Sequence, residues 1–246
     1  MTTSQKVALL VGAGDAIGAA VARRFAQGGY TVCIARREAD KSRALVEELR
    51  SKGLSAMAMS TDARTEEEIQ RLFREVEEKA GPISVCLFNA GSNVQKPLLD
   101  TSGKLFFKAW ELACYAGFLV GREAAKYMVP RGAGTILFTG ATASIRGSSG
   151  FAAFSSAKFG LRAVAQAMAR ELGPKNIHVA HLVIDSGVDT AWVRERREQL
   201  WGKEALNNPD LLMPPASVAA SYWQLYQQPR SAWTFELEIR PFGEKW

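Results

Sequence analysis

At 246 residues and 47% hydrophobic, the chain is long enough for one large α/β domain over 1–246 with its own core. Its net charge of +6 comes from Lys and Arg spread among 25 acidic residues, the pattern of a solvated surface with a basic pocket for an anionic small molecule, not of a nucleic-acid-binding stripe. There is no run of about 18 apolar residues and no signal-type leader in residues 1–6, and Cys33, Cys86 and Cys114 are odd in number and set in apolar segments; the expectation is an unprocessed, cytoplasmic protein with reduced thiols and no membrane contact.

Short apolar runs alternate with helical patterns along the chain, the signature of βαβ units feeding a parallel sheet. The first strand, Val7–Val11, runs into Gly12-Ala13-Gly14-Asp15-Ala16-Ile17-Gly18, and a helix follows with Ile17, Val21 and Phe25 on one face and Gly28-Gly29 as its stop. A strand over 31–35 ends at Arg36-Arg37, and Asp40 is placed to cap a helix that presents Leu45 and Leu49 and ends at Gly53. The strand Ala56–Ser60 leads to Asp62-Ala63. Thr65 and Glu68 then have capping-box spacing ahead of Ile69, Leu72, Phe73 and Val76, and Gly81-Pro82 closes that helix. After Ile83–Phe88 come Asn89-Ala90-Gly91, a long helix through Trp110-Glu111-Leu112-Ala113, a strand over 135–139, and a helix with Ala157, Leu161, Val164, Ala165 and Met168 on its apolar side. Strands over 179–184 and 234–239 complete a seven-strand, doubly wound Rossmann-type sheet. The segment 189–217, charged and interrupted by Asn207-Asn208-Pro209 and Pro214-Pro215, reads as an irregular substrate lid.

A glycine-rich turn directly between a strand and a helix is the context of a phosphate cradle. Glycines let the backbone approach a pyrophosphate, whose charge is met by amides at the helix N-terminus. At the end of the second strand an acid would accept from a ribose 2′-hydroxyl; Arg36 and Arg37 suit a 2′-phosphate instead, so NADP(H) is expected over NAD. Asp15 opposes this with its charge unless it points away or caps the helix.

These motifs stand in register with those of the short-chain dehydrogenase/reductase family, which the chain resembles over nearly its whole length. The loop Gly12 to Gly18 is similar to the family's Thr-Gly-x-x-x-Gly-x-Gly, with Val11 for the threonine and Ala16 for the middle glycine; Asp62, beside Ala63, matches its adenine-contacting aspartate and Asn89-Ala90-Gly91 its Asn-Ala-Gly turn. Phe154-Ser155-Ser156-Ala157-Lys158 resembles the family's Tyr-x-x-x-Lys with the tyrosine replaced. The resemblance implies that Lys158 holds the nicotinamide ribose, that Val188 and Thr190 hold the carboxamide, and that Phe154, Ala141 and Ala113 occupy the positions of the acid/base tyrosine, the substrate-orienting serine and the relay asparagine. A phenyl ring exchanges no proton. The resemblance further implies a homodimer or homotetramer through the fourth and fifth helices, where Phe118, Leu119 and Phe151 are apolar.

Asp185, at the carboxyl end of the sixth strand, is the candidate replacement proton carrier, against a plain turn aspartate. Ser155 and Ser156 point about 100° and 200° away from position 154, and Thr142, Ser144, Ser148 and Ser149 read as loop and cap hydroxyls. His178 and His181 lack companions at metal-ligand spacing and read as structural, so no metal is expected. Trp192, Trp201, Trp223, Trp233 and Trp246 line either an apolar pocket or a subunit contact. The function expected is NADP(H)-dependent hydride transfer to or from a small, apolar carbonyl or alcohol without the usual tyrosine; the alternative is a non-catalytic NADP(H)-binding protein with a regulatory or assembly role.

Overall fold

Strands that are apolar at every position belong where both faces are covered. In the computed structural model, which describes residues 6–244, β1 (Val7–Val11) and β6 (Ile177–Ile184) are buried throughout. With β2 (Thr31–Arg36), β3 (Ala56–Ser60), β4 (Ile83–Phe88), β5 (Gly134–Thr139) and β7 (Glu236–Ile239) they form one sheet in the order β3-β2-β1-β4-β5-β6-β7, parallel at every pairing. Residues 1–5 and Trp246 lie outside the described residues.

Helices cover both faces. On one, α1 (Ile17–Gln27), α2 (Arg43–Ser51) and α8 (Pro215–Gln227) pack around Phe25, Leu49 and Tyr222; on the other, α3 (Glu66–Lys79), α5 (Ala116–Met128) and α6 (Ala152–Leu172) pack around Phe73, Leu119 and Leu161. The order reverses between β1 and β4. Val11 pairs with Ala35 on one side and Phe88 on the other, so the carboxyl ends of β1, β2 and β4 open onto one crevice at the switch point, where parallel α/β sheets bind ligands.

Several local expectations are corrected. Asp40 lies in a 3₁₀ turn, Ala39–Ser42, and pairs with Arg43 at 2.6 Å; α2 begins only at Arg43. The capping box does not form. Thr65 is the N-cap of α3 but its side chain bonds nothing there, because Glu68 reaches further back and accepts from the Asp62 amide at 2.7 Å. The long fourth helix is broken into α4 (Gly103–Trp110), a π-turn (Glu111–Tyr115) and α5. Leu119 is a core residue, 1% exposed, and not part of an apolar surface.

The segment 189–217 is more regular than its composition indicates. It forms α7 (Ala191–Trp201), then 3₁₀ turns Lys203–Leu206 and Pro209–Leu211 before α8. No residue of α7 is buried. A helix without a core-facing stripe carries no apolar periodicity to read.

Candidate active site

The glycine loop and the arginines after β2 converge on one cleft of about 350 Å³ at the switch point. Gly12, Gly14, Arg36, Arg37, Asp62, Ala63, Asn89, Ala90 and Gly91 all line it, as expected from the sequence, together with Lys41, Thr61 and Leu112, which sequence reasoning missed. Gly12 has φ +77°, and a Cβ there would stand 2.6 Å from both the amide nitrogen and the Cβ of Ala90. Only glycine meets both conditions. A Cβ on Gly14, by contrast, would meet no atom within 4 Å. Ile17 and Gly18 do not line the cleft: Gly18 is buried against Ala13, and Ile17 packs on the core beneath α1.

Asp15 does not cap α1, whose N-cap position is Ala16, and it does not line the cleft; its exposed carboxylate accepts from Arg36 at 2.6 Å. Asp62 is held by Arg64, which donates to its two carboxylate oxygens at 2.9 and 2.5 Å and keeps its pKa below the usual aspartate range. This leaves the Asp62 carboxylate fixed and ionised on the cleft wall.

At the inner end, α6 brings Lys158 under Gly91. The ammonium is buried, would be 3.3 Å from a Cβ on Gly91, and donates to the Thr139 carbonyl at 2.8 Å. Burial lowers its pKa to about 8. The Thr139 hydroxyl accepts from Tyr222 at 2.7 Å and donates to Asn89 Oδ1 at 2.8 Å, so β4, β5 and α8 are tied together behind the lysine. His181 stands close by, its ring against Gly140 and its Nδ1 3.0 Å from Glu236, which Arg162 grips at 2.6 and 2.7 Å. Burial pushes its pKa down to about 4 against the pull of Glu236, so it is neutral at pH 7. His178 stacks on Trp233 at 5.0 Å. Among the described residues no group of three or more His, Cys, Asp or Glu is placed to hold a metal ion.

A second cleft, of about 390 Å³, is lined by Phe154 and Ala141 from the chemical motif, by Phe151, Ile184 and Arg146, and by α7 through Trp192, Val193, Arg196, Arg197, Leu200 and Trp201. Ala113 reaches neither cleft; it is wholly buried in the π-turn. Ser155 does line the second cleft despite its angular offset from position 154. Its hydroxyl is buried there without a hydrogen-bond partner. Ser144 caps the turn after β5 by accepting from the Ala141 amide, and Ser156 bonds the Ala153 carbonyl. Trp223 packs on Phe25, not on a cleft.

Asp185 is buried just behind this cleft and faces two guanidinium groups, Arg146 and Arg240, each at 3.4 Å. Val188 pairs with Met213 in an isolated parallel bridge, and the Asp189 amide bonds the Met213 carbonyl, so the base of the 189–217 segment is pinned at both ends. The Thr190 hydroxyl accepts from the Val193 amide as the N-cap of α7, which leaves its own proton free to donate. No signal along the chain marks Arg64, which belongs to none of the motifs, or the α7 side chains, which carry no apolar stripe.

Fold and cleft together define a Rossmann-type dinucleotide-binding protein. A family model described as short chain dehydrogenase matches residues 6–201. The chain is 51% identical to a short-chain dehydrogenase from Rhodopseudomonas palustris of known crystal structure, over 96% of this chain and 99% of that one, with a TM-score of 0.83. It is 27% identical to a variant actinorhodin polyketide ketoreductase crystallised with NADPH, over 96% of each chain, with a TM-score of 0.87. It is also 30% identical to the 3-oxoacyl-(acyl-carrier-protein) reductase of Bos taurus, over 80% of this chain and 82% of that protein. The chain belongs to the short-chain dehydrogenase/reductase family of oxidoreductases.

Proposed function

We propose that this protein is an NADP(H)-dependent oxidoreductase that transfers hydride to or from a carbonyl or alcohol substrate without a tyrosine acid/base. The observation that carries this reading is that the glycine cradle, the Arg36-Arg37 pair and Gly91 line one cleft, with the buried Lys158 ammonium packed directly beneath Gly91, while Phe154 lines a second cleft. The cleft fits a phosphorylated dinucleotide on its own geometry: open space over Gly14, a forced glycine at 12, and three cations, Arg36, Arg37 and Lys41, in its lining against two carboxylates, Asp62 and Glu38, the latter paired with Lys41. The ketoreductase that shares 27% identity was crystallised with NADPH, which supports the same choice. When bound, NADPH supplies the hydride.

The chain's own residues bind and orient. Arg36, released from Asp15, and Arg37 neutralise the 2′-phosphate; backbone amides of the loop opening α1 meet the pyrophosphate; Asp62 and Ala63 receive the adenine; Asn89, Ala90 and Gly91 shape the wall. Lys158 donates to the ribose, and Val188 and Thr190 meet the carboxamide. Asp185, between two guanidinium groups, places Arg146. Phe154, Ala141 and Ala113 offer no proton, so water in the open cleft provides it. A positioned acid/base is worth about 10²- to 10⁴-fold, and turnover is correspondingly slow.

The absence of all three polar groups also favours a second reading, a non-catalytic NADP(H)-binding protein with a regulatory or assembly role. An NADPH titration beside NADPH oxidation over ketones, aldehydes and quinones separates the two. Binding that Arg36→Ala with Arg37→Ala weakens, together with turnover that rises in Phe154→Tyr, Ala141→Ser, supports the enzyme. Binding without turnover in either form supports the alternative, and no binding rejects both.

The same reading takes 1–246 as one domain, with 189–217 as its lid hinged on the Val188–Met213 bridge. Buried, unpaired Cys33, Cys86 and Cys114 support a reducing, cytoplasmic setting. Rings of Phe107, Trp110, Tyr115 and Phe118 stack in a row along α4 and α5, with Phe106, Phe107 and Phe159 exposed, which supports a homodimer or homotetramer through this face.

A further inference from the structure

The second cleft carries charge that a small, apolar ketone would not use. Its lining contains three arginines, Arg146, Arg196 and Arg197, against a single carboxylate, Glu244. Glu244 is already taken: it accepts from Ser186 at 2.5 Å and faces Arg197 at 3.7 Å. Asp185, behind the wall, is shared by Arg146 and Arg240. Arg196 is the least compensated. Its guanidinium bonds the side-chain carbonyl of Gln95, a neutral acceptor, and lies 5.7 Å from the Trp192 ring; among the described residues it has no carboxylate partner.

The remaining wall is apolar and open. Trp192, Leu200 and Trp201 are 52, 57 and 63% exposed, and large side chains left uncovered on the rim of a concave site mark the place of an apolar body. The inner end is lined by Phe154 and Ala141.

We propose that this cleft binds an amphipathic carbonyl compound bearing an anionic group, a carboxylate or a phosphate. Its carbonyl lies at the inner end beside Phe154, its apolar body lies on Trp192, Leu200 and Trp201, and its anion displaces Gln95 from Arg196 and is shared with Arg146. This deepens the oxidoreductase reading by naming the class of substrate. It rests on that reading only for calling the ligand a substrate, because the binding itself needs no cofactor.

The test is calorimetric titration of the protein, without and with saturating NADP, by three ligands of one shape: para-acetylbenzoate, para-acetylphenyl phosphate and the methyl ester of the first. At least one anion is expected to bind about tenfold or more tightly than the neutral ester, the scale of one charge-assisted hydrogen bond, and the better of the two identifies the anionic group. The preference should weaken with added salt. Arg196→Gln should remove most of it while leaving ester binding and NADPH affinity unchanged. Arg36→Ala should not alter the preference, which separates this cleft from the dinucleotide end. Equal binding of ester and anions, a preference that survives Arg196→Gln, or no binding by any of the three overturns the proposal. Failure of NADPH to bind, with the anion preference intact, rejects the oxidoreductase reading and leaves this site standing.

Discussion

Replacing Lys158 by methionine should stabilise the protein at neutral pH while impairing its cofactor site. Burial lowers the lysine pKa from 10.5 to about 8, so keeping the ammonium charged inside the fold at pH 7 costs roughly 3 kcal/mol, at about 1.4 kcal/mol per tenfold change in proton affinity. Methionine fills a similar volume without charge, but it leaves the Thr139 carbonyl, now bonded at 2.8 Å, without its donor, a loss of about 1–3 kcal/mol. The balance at pH 7 is a gain of about 0–2 kcal/mol. The pH dependence is the sharper readout. Between pH 8 and 10.5 the unfolded chain holds this proton and the folded chain does not, so wild-type stability rises across that window. Below pH 8 both states are protonated and the cost is fully present. The variant has no such rise, and subtracting the two cancels every other titrating group. Urea melts at pH 7, 8.5 and 10.5 should therefore show the stability of Lys158→Met relative to wild type falling by about 3 kcal/mol from the first to the last, with NADPH affinity reduced in the variant at pH 7. A stability difference that is flat across this range would refute the claim that the lysine is charged and desolvated in the fold.

Two further outcomes follow from the same geometry. Gly12→Ala combines a left-handed backbone, φ +77°, with a 2.6 Å approach to Ala90 and should cost about 2–4 kcal/mol in thermal or urea unfolding; Gly14→Ala, with nothing within 4 Å, should stay within about 0.5 kcal/mol of wild type yet weaken NADPH in a fluorescence titration. His181, neutral because burial depresses its pKa from 6.5 to about 4, contributes stability that is present above pH 6.5 and lost as pH falls toward 4. Up to about 3 kcal/mol should disappear over that interval in urea melts, and His181→Gln should flatten the loss.

The order of elements and the cofactor side of the site were legible in the sequence because they depend on neighbours along the chain. Three strands, Val7–Val11, Ala56–Ser60 and Ile83–Phe88, have the limits read from the chain, and the others differ by one or two residues at their ends. A short run apolar on both faces, repeated between helical patterns, fits a strand of a covered sheet, and a glycine turn between such a strand and a helix has few uses. Gly12, Arg36, Asp62 and Asn89 were recoverable one βα unit at a time, since each stands at a strand's carboxyl end. Phe154 and Ala141 could likewise be placed by their distance from Lys158.

Tertiary packing decided the rest. The pairing of Asp15 with Arg36, the grip of Arg162 on Glu236 and the burial that depresses Lys158 each depend on how chain segments meet in the fold, information that local periodicity does not contain. The charge of the substrate cleft is the clearest case. Arg146 and Arg196 are 50 residues apart and lie in segments with no apolar stripe, a loop and the fully unburied α7. Hydrophobic patterning specifies which residues enter the core; the composition of a wall built from residues outside it is fixed only when the sheet has closed and the α7 segment has been folded back over its edge.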